Sequence, residues 1–230
     1  MLSITNEDNM QLMARYPDKF FDLAIVDPPY GNCNGTKTNL HKCKHGILAK
    51  QAKIEHIPHR RTEDSKAYSW AKKYSLNKIV DWDIAPSEEY FKELFRVSKN
   101  QIIWGGNYFD LPQSRNFIVW EKQTISENFS MAMAEYAWAS IEGNSKIIKY
   151  PPQNPERFHP TQKPVYLYKK LLQWYSKPDY KILDTHLGSG SIALACIDFK
   201  LDLVACEIDI DYFNVAIKRI EDYQKQKELF

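Results

Sequence analysis

The fold of this chain of 230 residues is decided by the stretch Lys181-Ile182-Leu183-Asp184-Thr185-His186-Leu187-Gly188-Ser189-Gly190-Ser191-Ile192-Ala193. Its apolar start predicts a strand, its glycines predict a turn, and Leu194 to Ile197 continues it as a helix. Gly188, Gly190 and Ala193 fit the spacing G-x-G-x-x-G/A, in which small residues let the backbone approach a ligand and let the helix pack on the strand. The stretch therefore predicts a ligand site on a strand, turn and helix.

An acidic residue follows the next predicted strand. The apolar run from Leu201 to Cys206 leads into Glu207, at about the distance where such folds place a carboxylate on ribose hydroxyls. We therefore expect a ligand that carries a ribose. A nicotinamide dinucleotide is disfavoured, because Tyr212 to Leu229 is a single amphipathic helix and cannot supply a second mononucleotide-binding half. The missing strands must come from upstream.

A second candidate site lies near the start of the chain, where the run Leu23 to Val26 is followed by Asp27-Pro28-Pro29-Tyr30. Prolines cannot donate ladder hydrogen bonds and they fix their own φ angles, so the strand ends here and the backbone after it is stiff. The carboxylate of Asp27, a proline carbonyl and the ring of Tyr30 suit a planar amino group such as that of a nucleobase. The alternative is a strand that ends in an ordinary Pro-Pro turn.

Together these segments resemble a family of amino-methyltransferases that transfer a methyl group from S-adenosylmethionine to exocyclic amino groups of DNA bases. The order is the circularly permuted, beta-type one, in which the catalytic motif precedes the cofactor motif. His159-Pro160-Thr161-Gln162-Lys163-Pro164 is similar to the family's motif before the cofactor strand, and Asp8 resembles an acid near the cofactor's adenine. The resemblance covers nearly the whole chain. It implies an α/β fold with a Rossmann-like, seven-stranded, mostly parallel sheet and helices on both faces.

The resemblance also implies roles for individual residues. Asp27 and the Pro28 carbonyl would accept the two amino hydrogens of the target base, with Pro29 stiffening the motif. Tyr30 would stack on that base after it is flipped out of double-stranded DNA. The residues implied in cofactor binding are Asp8, Asp27, Thr161, Lys163, Asp184, His186, Leu187, Gly188, Ser189, Gly190 and Glu207.

Adenine N6 is the favoured acceptor, because cytosine-N4 members of the family more often have serine at the position of Asp27. Two alternatives stay open: a cytosine-N4 methyltransferase, and an inactive DNA-binding protein of the same fold. The inactive alternative is considered because this chain has Asp184-Thr185-His186 where the family commonly has Asp-Pro-Phe. This difference puts the affinity for the cofactor in question. The family's large target-recognition region is also absent, since only Ile141 to Phe158 is available. In this the chain resembles solitary or phage-borne members.

Composition predicts one domain, because 230 residues with 43% hydrophobic content can bury a sizeable core. We find no run of about eighteen apolar residues that could span a bilayer, so we expect a soluble, cytoplasmic protein. The four cysteines show no C-x-x-C spacing and are expected to be free thiols. The sequence leaves the oligomeric state open, with a homodimer among the arrangements it allows.

Positive charge is concentrated in one segment. Lys37 to Lys78 holds eleven Lys or Arg against three acids, in a chain whose net charge is only +2. We expect the insertion at about 33–80 to contact DNA phosphates; a solvated loop without a partner is the alternative. Its candidate DNA contacts are Lys37, Lys42, Lys44, Arg60, Arg61, Lys72 and Lys73. Cysteine and histidine in the same region lack the spacing of common zinc modules, so no metal is expected.

Hydrophobic periodicity predicts seven strands and five helices. The strands are Leu2 to Thr5, Leu23 to Asp27, Gln101 to Trp104, Phe117 to Trp120, Ala134 to Ala139, Lys181 to Asp184 and Asp202 to Glu207. The helices are Asp8 to Arg15, Ser87 to Ser98, Val165 to Trp174, Ser191 to Asp198 and Asp211 to Leu229.

Overall fold

The computed structural model describes residues 1–31, 84–127, 132–152, 157–159 and 161–228. Internal contacts divide the chain into two units. The first consists of Met1–Pro28, Ser87–Thr124 and Ala134–Phe230, and the second of Pro29–Pro86 and Ile125–Met133. The predicted basic insertion falls within the range of the second unit and outside the described residues.

The first unit contains a single mixed sheet. Its strands are β1 (Leu2–Thr5), β2 (Phe21–Val26), β3 (Ser98–Trp104), β4 (Phe117–Glu121), β5 (Ala134–Ala139), β6 (Lys146–Lys149), β7 (Lys181–Asp184) and β8 (Asp202–Cys206). They lie in the order β1-β8-β7-β2-β3-β5-β4-β6. Among these described strands only β5 runs antiparallel to its neighbours. The predicted mostly parallel sheet is confirmed.

Five α-helices cover the sheet in the described part of the chain. They are α1 (Asn9–Ala14), α2 (Glu88–Val97), α3 (Val165–Tyr175), α4 (Ser191–Phe199) and α5 (Ile210–Glu228). The helices form two groups, each sharing one cluster of buried side chains: α1 and α2 contribute to one cluster, and α3, α4 and α5 contribute to the other. Successive residues of β2 enter different clusters: Ile25 belongs to the cluster with α3 and Val26 to the cluster with α2. Helices on both faces are therefore confirmed.

The structure differs from the prediction at one sheet edge and at several boundaries. Strand β6 is additional: only Ile148 of its four residues is buried, so Lys146–Lys149 lacks the apolar pattern of a strand. Strand β3 begins at Ser98, where the predicted helix was still continuing, because Ser98 pairs with Phe21 across the ladder. Asp27 and Glu207 follow their strands instead of ending them.

The sheet order places the predicted site residues together at the carboxyl ends of neighbouring parallel strands. Strands β7 and β2 are parallel neighbours, and the helices that leave them turn in opposite directions, α4 toward β8 and α2 toward β3. In open α/β sheets, ligands bind outside the carboxyl ends of the strands at such a switch point. Asp27 and Asp184 stand on its two sides, and Glu207 follows the next strand, β8.

Candidate active site

The turn between β7 and α4 depends on two glycines. Gly188 has φ of +52° and Gly190 of +72°, a left-handed conformation that other residues rarely adopt. The Leu187 N–H donates to the Cys206 carbonyl at 2.9 Å, and the Gly190 N–H donates back to the Leu187 carbonyl at 2.9 Å. The sequence-predicted glycine turn is therefore a tight loop fastened to β8, and Gly190 directly precedes the first turn of α4.

Gly190→Ala is expected to lower the free energy of unfolding by about 1–3 kcal/mol, the cost of a strained backbone position. A Cβ at Gly190 would also lie 3.2 Å from Cδ1 of Ile220, whereas one at Gly188 would lie 3.6 Å from the His159 ring, an ordinary contact. Gly188→Ala is thus the matched control with a similar φ, and it should cost less. Urea titrations measure both losses. Ile220→Val removes Cδ1, so Gly190→Ala should cost less free energy of unfolding in the Ile220→Val background. An equal cost in both backgrounds would contradict the proposed contact with Ile220.

Glu207 holds the glycine turn against the start of α5. Its Oε2 accepts the Gly188 N–H at 2.8 Å and its Oε1 accepts the Asp209 N–H at 3.0 Å. The residue is only 9% exposed, and burial raises the pKa of its carboxyl. A carboxylate has about four acceptor positions, so these two bonds leave capacity for ribose hydroxyls. Glu207, whose carboxylate is predicted to bind the ribose, thus also holds the backbone of the glycine turn in place through Gly188.

His186 occupies the position where the resemblance leads one to expect phenylalanine. Its Nε2 lies 3.1 Å from Asn9 Nδ2, and its Nδ1 lies 2.9 Å from the Thr185 hydroxyl. Its ring meets Tyr90 edge to face at 5.4 Å between centroids. Burial lowers the pKa of the imidazole to about 3, so the ring is neutral at pH 7. The substitution therefore keeps a flat, uncharged ring here and adds polar contacts that fix it.

Asp184 is a buried carboxyl at the end of β7. It is 2% exposed, and its Oδ1 accepts the His186 N–H at 3.0 Å. Burial, together with the negative charges of Asp27 and Glu207, raises the pKa of Asp184 to about 8, although the hydrogen bond from His186 opposes the shift. Asp184 is therefore largely protonated at neutral pH.

This raised pKa predicts how stability depends on pH. Between the ordinary value of 3.8 and about 8, the folded protein holds a proton at Asp184 that the unfolded chain has lost. The contribution of Asp184 is thus complete below the unfolded pKa and declines as pH rises, by up to about 1.4 kcal/mol per pH unit. Asp184→Asn keeps the acceptor for His186 and should remove this slope. Unfolding titrations at pH 5, 6, 7 and 8 compare the two proteins, and a difference between them that does not change with pH would refute the prediction.

Asp27 belongs to a chain of four alternating charges. The Lys163 ammonium lies 2.5 Å from Asp27 Oδ2 and 3.3 Å from Glu135 Oε2, and Lys122 Nζ lies 2.5 Å from Glu135 Oε1. The two lysine side chains are 3% and 5% exposed. Burial alone would raise the pKa of Glu135, but the two lysines outweigh it and lower that pKa to about 2. Asp27 and Glu135 also raise the pKa of Lys163 against its burial, so the ammonium stays charged.

Sequence reasoning missed Glu135 and gave Lys122 no role. Glu135 lies within a predicted strand, where a single acid is typical of a solvent-facing position. The informative signal was Lys163: a cation within a recognised motif needs an acidic partner once it is buried. The resemblance places Lys163 near the cofactor, and the structure places its ammonium at Asp27.

The motif before α3 is folded around His159. The Thr161 N–H donates to His159 Nδ1 at 3.3 Å, and the His159 ring packs on Tyr212 of α5 at 4.3 Å between centroids. Burial lowers the pKa of His159 to about 3. The ring also borders Gly188, so the motif and the glycine turn are in contact. Pro160 lies outside the described residues.

The remaining predicted residues are placed as follows. Asp8 caps the N-terminus of α1 by accepting the Met10 N–H at 2.8 Å, next to the Asn9 that contacts His186. Arg219 of α5, which is not among the predicted residues, also contacts the glycine turn by donating to the Ser189 carbonyl at 2.7 Å. Pro28 is buried in the first unit, whereas Pro29 and Tyr30 belong to the second. All seven predicted DNA contacts, and the cysteines and histidines considered for zinc, lie outside the described residues. Among the described helices none is long and apolar enough to cross a membrane.

Comparisons with known proteins agree with this geometry. Residues 119–218 match the family model of the N6/N4 DNA methylases, described as DNA methylase. The Type II methyltransferase M2.MboI of Moraxella bovis is 22% identical over 93% of this chain and 85% of its own length. The M1.HpyAVI–SAM complex has a TM-score of 0.55 at 19% identity, covering 96% of this chain and 99% of that one. PvuII DNA methyltransferase, cytosine-N4-specific, has a TM-score of 0.54 at 13% identity, with 98% and 92% covered.

A mostly parallel sheet with a glycine turn and two acids at its switch point defines the class as a Rossmann-like methyltransferase fold. Within that class, the family match over residues 119–218 and the likeness to M2.MboI point to the N6-adenine/N4-cytosine DNA methylases. These similarities support a DNA methyltransferase activity. The matched range holds the glycine turn and Glu207 but begins after Asp27 and so does not include it.

Proposed function

We propose that this protein transfers a methyl group from S-adenosylmethionine to N6 of adenine in double-stranded DNA. The observation that carries the proposal is the position of Asp27, at the carboxyl end of β2 and beside the glycine turn that follows β7. A carboxylate at this place can meet an amino group brought to the ligand that the glycine turn holds.

The reaction needs little beyond orientation and charge. When bound, S-adenosylmethionine supplies a methyl group on a positively charged sulfur. The amino nitrogen forms a bond to the methyl carbon, the carbon–sulfur bond breaks with its electrons staying on sulfur, and one amino proton leaves for solvent. Asp27 accepts one amino hydrogen and the Pro28 carbonyl accepts the other, which stabilises positive charge as it develops on nitrogen. Holding the reacting atoms in line supplies much of the remaining rate.

The described residues fit the cofactor. Gly188 and Gly190 add no side chains of their own to the turn, and Glu207 has acceptor capacity for ribose hydroxyls. His186 presents a neutral ring, held by Asn9, beside the capped start of α1 at Asp8. Thr161, Asp184, Leu187 and Ser189 complete the proposed cofactor-binding set, whereas the ammonium of Lys163 contacts Asp27.

Substrate DNA is proposed to bind through the basic insertion at about 33–80. Its lysines and arginines would contact phosphates and position the duplex, which makes binding strongly salt-dependent. Tyr30 would then stack on the flipped adenine, an interaction worth about 1–3 kcal/mol. A homodimer in the cytoplasm remains part of the proposal.

The decisive experiment identifies the methylated base. Purified protein is incubated with S-adenosylmethionine labelled in its methyl group and with genomic DNA from a host that lacks methylation, which contains every short recognition sequence. The DNA is then digested to nucleosides. We expect label in N6-methyl-2′-deoxyadenosine, and label in N4-methyl-2′-deoxycytidine would overturn the choice of base. Protein that binds the cofactor and DNA but transfers no label would overturn the enzymatic function.

Cytosine N4 is the second candidate, and one observation favours it. PvuII DNA methyltransferase, which is cytosine-N4-specific, shares the fold over 98% of this chain. Both exocyclic amino groups offer two hydrogens to the same acceptors. Adenine is preferred because Asp27 is a carboxylate, where the cytosine-N4 members that this chain resembles more often have serine.

A further inference from the structure

The charge chain of Asp27, Lys163, Glu135 and Lys122 is assembled by the topology of the sheet. Asp27 follows β2 and Lys122 follows β4, both at their carboxyl ends. Glu135 lies near the start of β5, which runs antiparallel, so it reaches the same edge; Trp120 is its partner in the ladder. All four charges therefore meet at the carboxyl ends of the parallel strands, where the proposed chemistry takes place.

Two indole rings support the lysines of this chain. Lys163 Nζ lies 5.1 Å from the centroid of Trp104, and Lys122 Nζ lies 5.1 Å from that of Trp120. Trp104 is completely buried at the end of β3, although its indole N–H has no hydrogen-bond partner among the described residues. A buried, unsatisfied donor destabilises a fold, so the presence of tryptophan here is explained by the face that it offers to the ammonium.

We propose that Lys163 is a positioning residue that fixes the Asp27 carboxylate for catalysis, and that the Glu135–Lys122 pair holds Lys163 in place. The inference rests on the proposed function. A buried ammonium that contacts two carboxylates and an aromatic face has little freedom to move, so the oxygen that it binds is fixed as well. The orientation of the Asp27 carboxylate is thus set before substrate arrives, which is what an acceptor for a developing charge requires.

Charge balance separates this role from a merely structural one. The four groups sum to zero, and Lys163→Met alone would leave one uncompensated negative charge. The double variant Lys163→Met/Glu135→Gln restores the balance, with Asp27 and Lys122 remaining, but does not restore the contact with Asp27. The double variant Lys122→Met/Glu135→Gln is also balanced and keeps the Lys163–Asp27 pair. Lys169→Met, which breaks a pair with Asp198 between α3 and α4, is the remote control.

The test measures the thermal midpoint, cofactor affinity, and the rate of methyl transfer at saturating cofactor and DNA. For Lys163→Met/Glu135→Gln we expect a midpoint and a cofactor affinity near those of wild type but a rate about 100-fold lower, as for a catalytic group displaced by about 1 Å. Lys122→Met/Glu135→Gln should lose no more than about 10-fold in rate, by the same reasoning. Lys169→Met should keep the wild-type rate.

Several outcomes would overturn the proposal. An unchanged rate in Lys163→Met/Glu135→Gln would overturn it, and so would weaker cofactor binding at an unchanged saturating rate, which would assign Lys163 to the cofactor. If that variant does not fold, Lys163→Arg is tested instead. Arginine keeps the positive charge but changes the geometry of the contact with the Asp27 carboxylate, so a wild-type rate would contradict the proposal. Wild-type protein that methylates no base overturns the proposed function and this inference with it, whereas active wild type beside an equally active double variant overturns this inference alone.

Discussion

Asp27→Ala is expected to reduce the rate of methyl transfer by about 1000-fold or more, the upper end of the effect of removing one preorganised electrostatic group. The methyl group of alanine cannot accept an amino hydrogen, so positive charge on the nitrogen is no longer stabilised. The fold should survive at some cost in stability, because the Lys163 ammonium loses Asp27 but keeps its contact with Glu135. Cofactor binding should change little, since the glycine turn is held through Glu207 and the β8 backbone.

The measurement is a single-turnover methylation assay alongside calorimetric titration of S-adenosylmethionine. Asp27→Asn is the isosteric control: its amide oxygen is a neutral acceptor, so we expect a loss of about 100-fold. Asp110→Ala removes an exposed acid after β3 and should leave the rate unchanged. A normal rate in Asp27→Ala would exclude Asp27 from catalysis.

Glu207→Ala has the second large effect, on cofactor affinity. It removes the acceptor for two backbone N–H groups, those of Gly188 and Asp209, together with the proposed contact to ribose. Lost hydrogen bonds to a charged group cost about 1.5–3 kcal/mol, which corresponds to about 10- to 100-fold weaker binding. At saturating cofactor the rate should recover much of its wild-type value, because Asp27 is untouched.

Titration of the cofactor into each variant tests this prediction. Glu207→Gln can accept only one of the two backbone hydrogens through its single amide oxygen, so we expect an intermediate affinity. Glu221→Ala removes an exposed carboxylate from α5 and serves as the matched control. Unchanged affinity in Glu207→Ala would show that the cofactor does not depend on this carboxylate.

Much of the fold could be predicted from local pattern. Strands β1, β5 and β7 have the predicted bounds, and α3 and α4 each extend the predicted helix by one residue. These elements have strong apolar periodicity or clear start and stop residues. Strand β6 and the start of β3 could not be predicted, because polar residues enter those strands through pairing with β4 and β2. Ladder hydrogen bonds join backbones and leave little trace in the side chains.

The site divides in the same way. Local sequence pattern was enough to predict the glycine turn at Gly188 and Gly190, the acid at Glu207 and the proposed catalytic motif at Asp27, because each depends on the residues beside it in the chain. The contacts of Lys163 with Asp27 and with Glu135 become visible only in the folded structure. These ion pairs join separate elements whose neighbourhood follows from strand order and from the reversed direction of β5, and buried charges select partners by distance in space, which the order of residues does not contain.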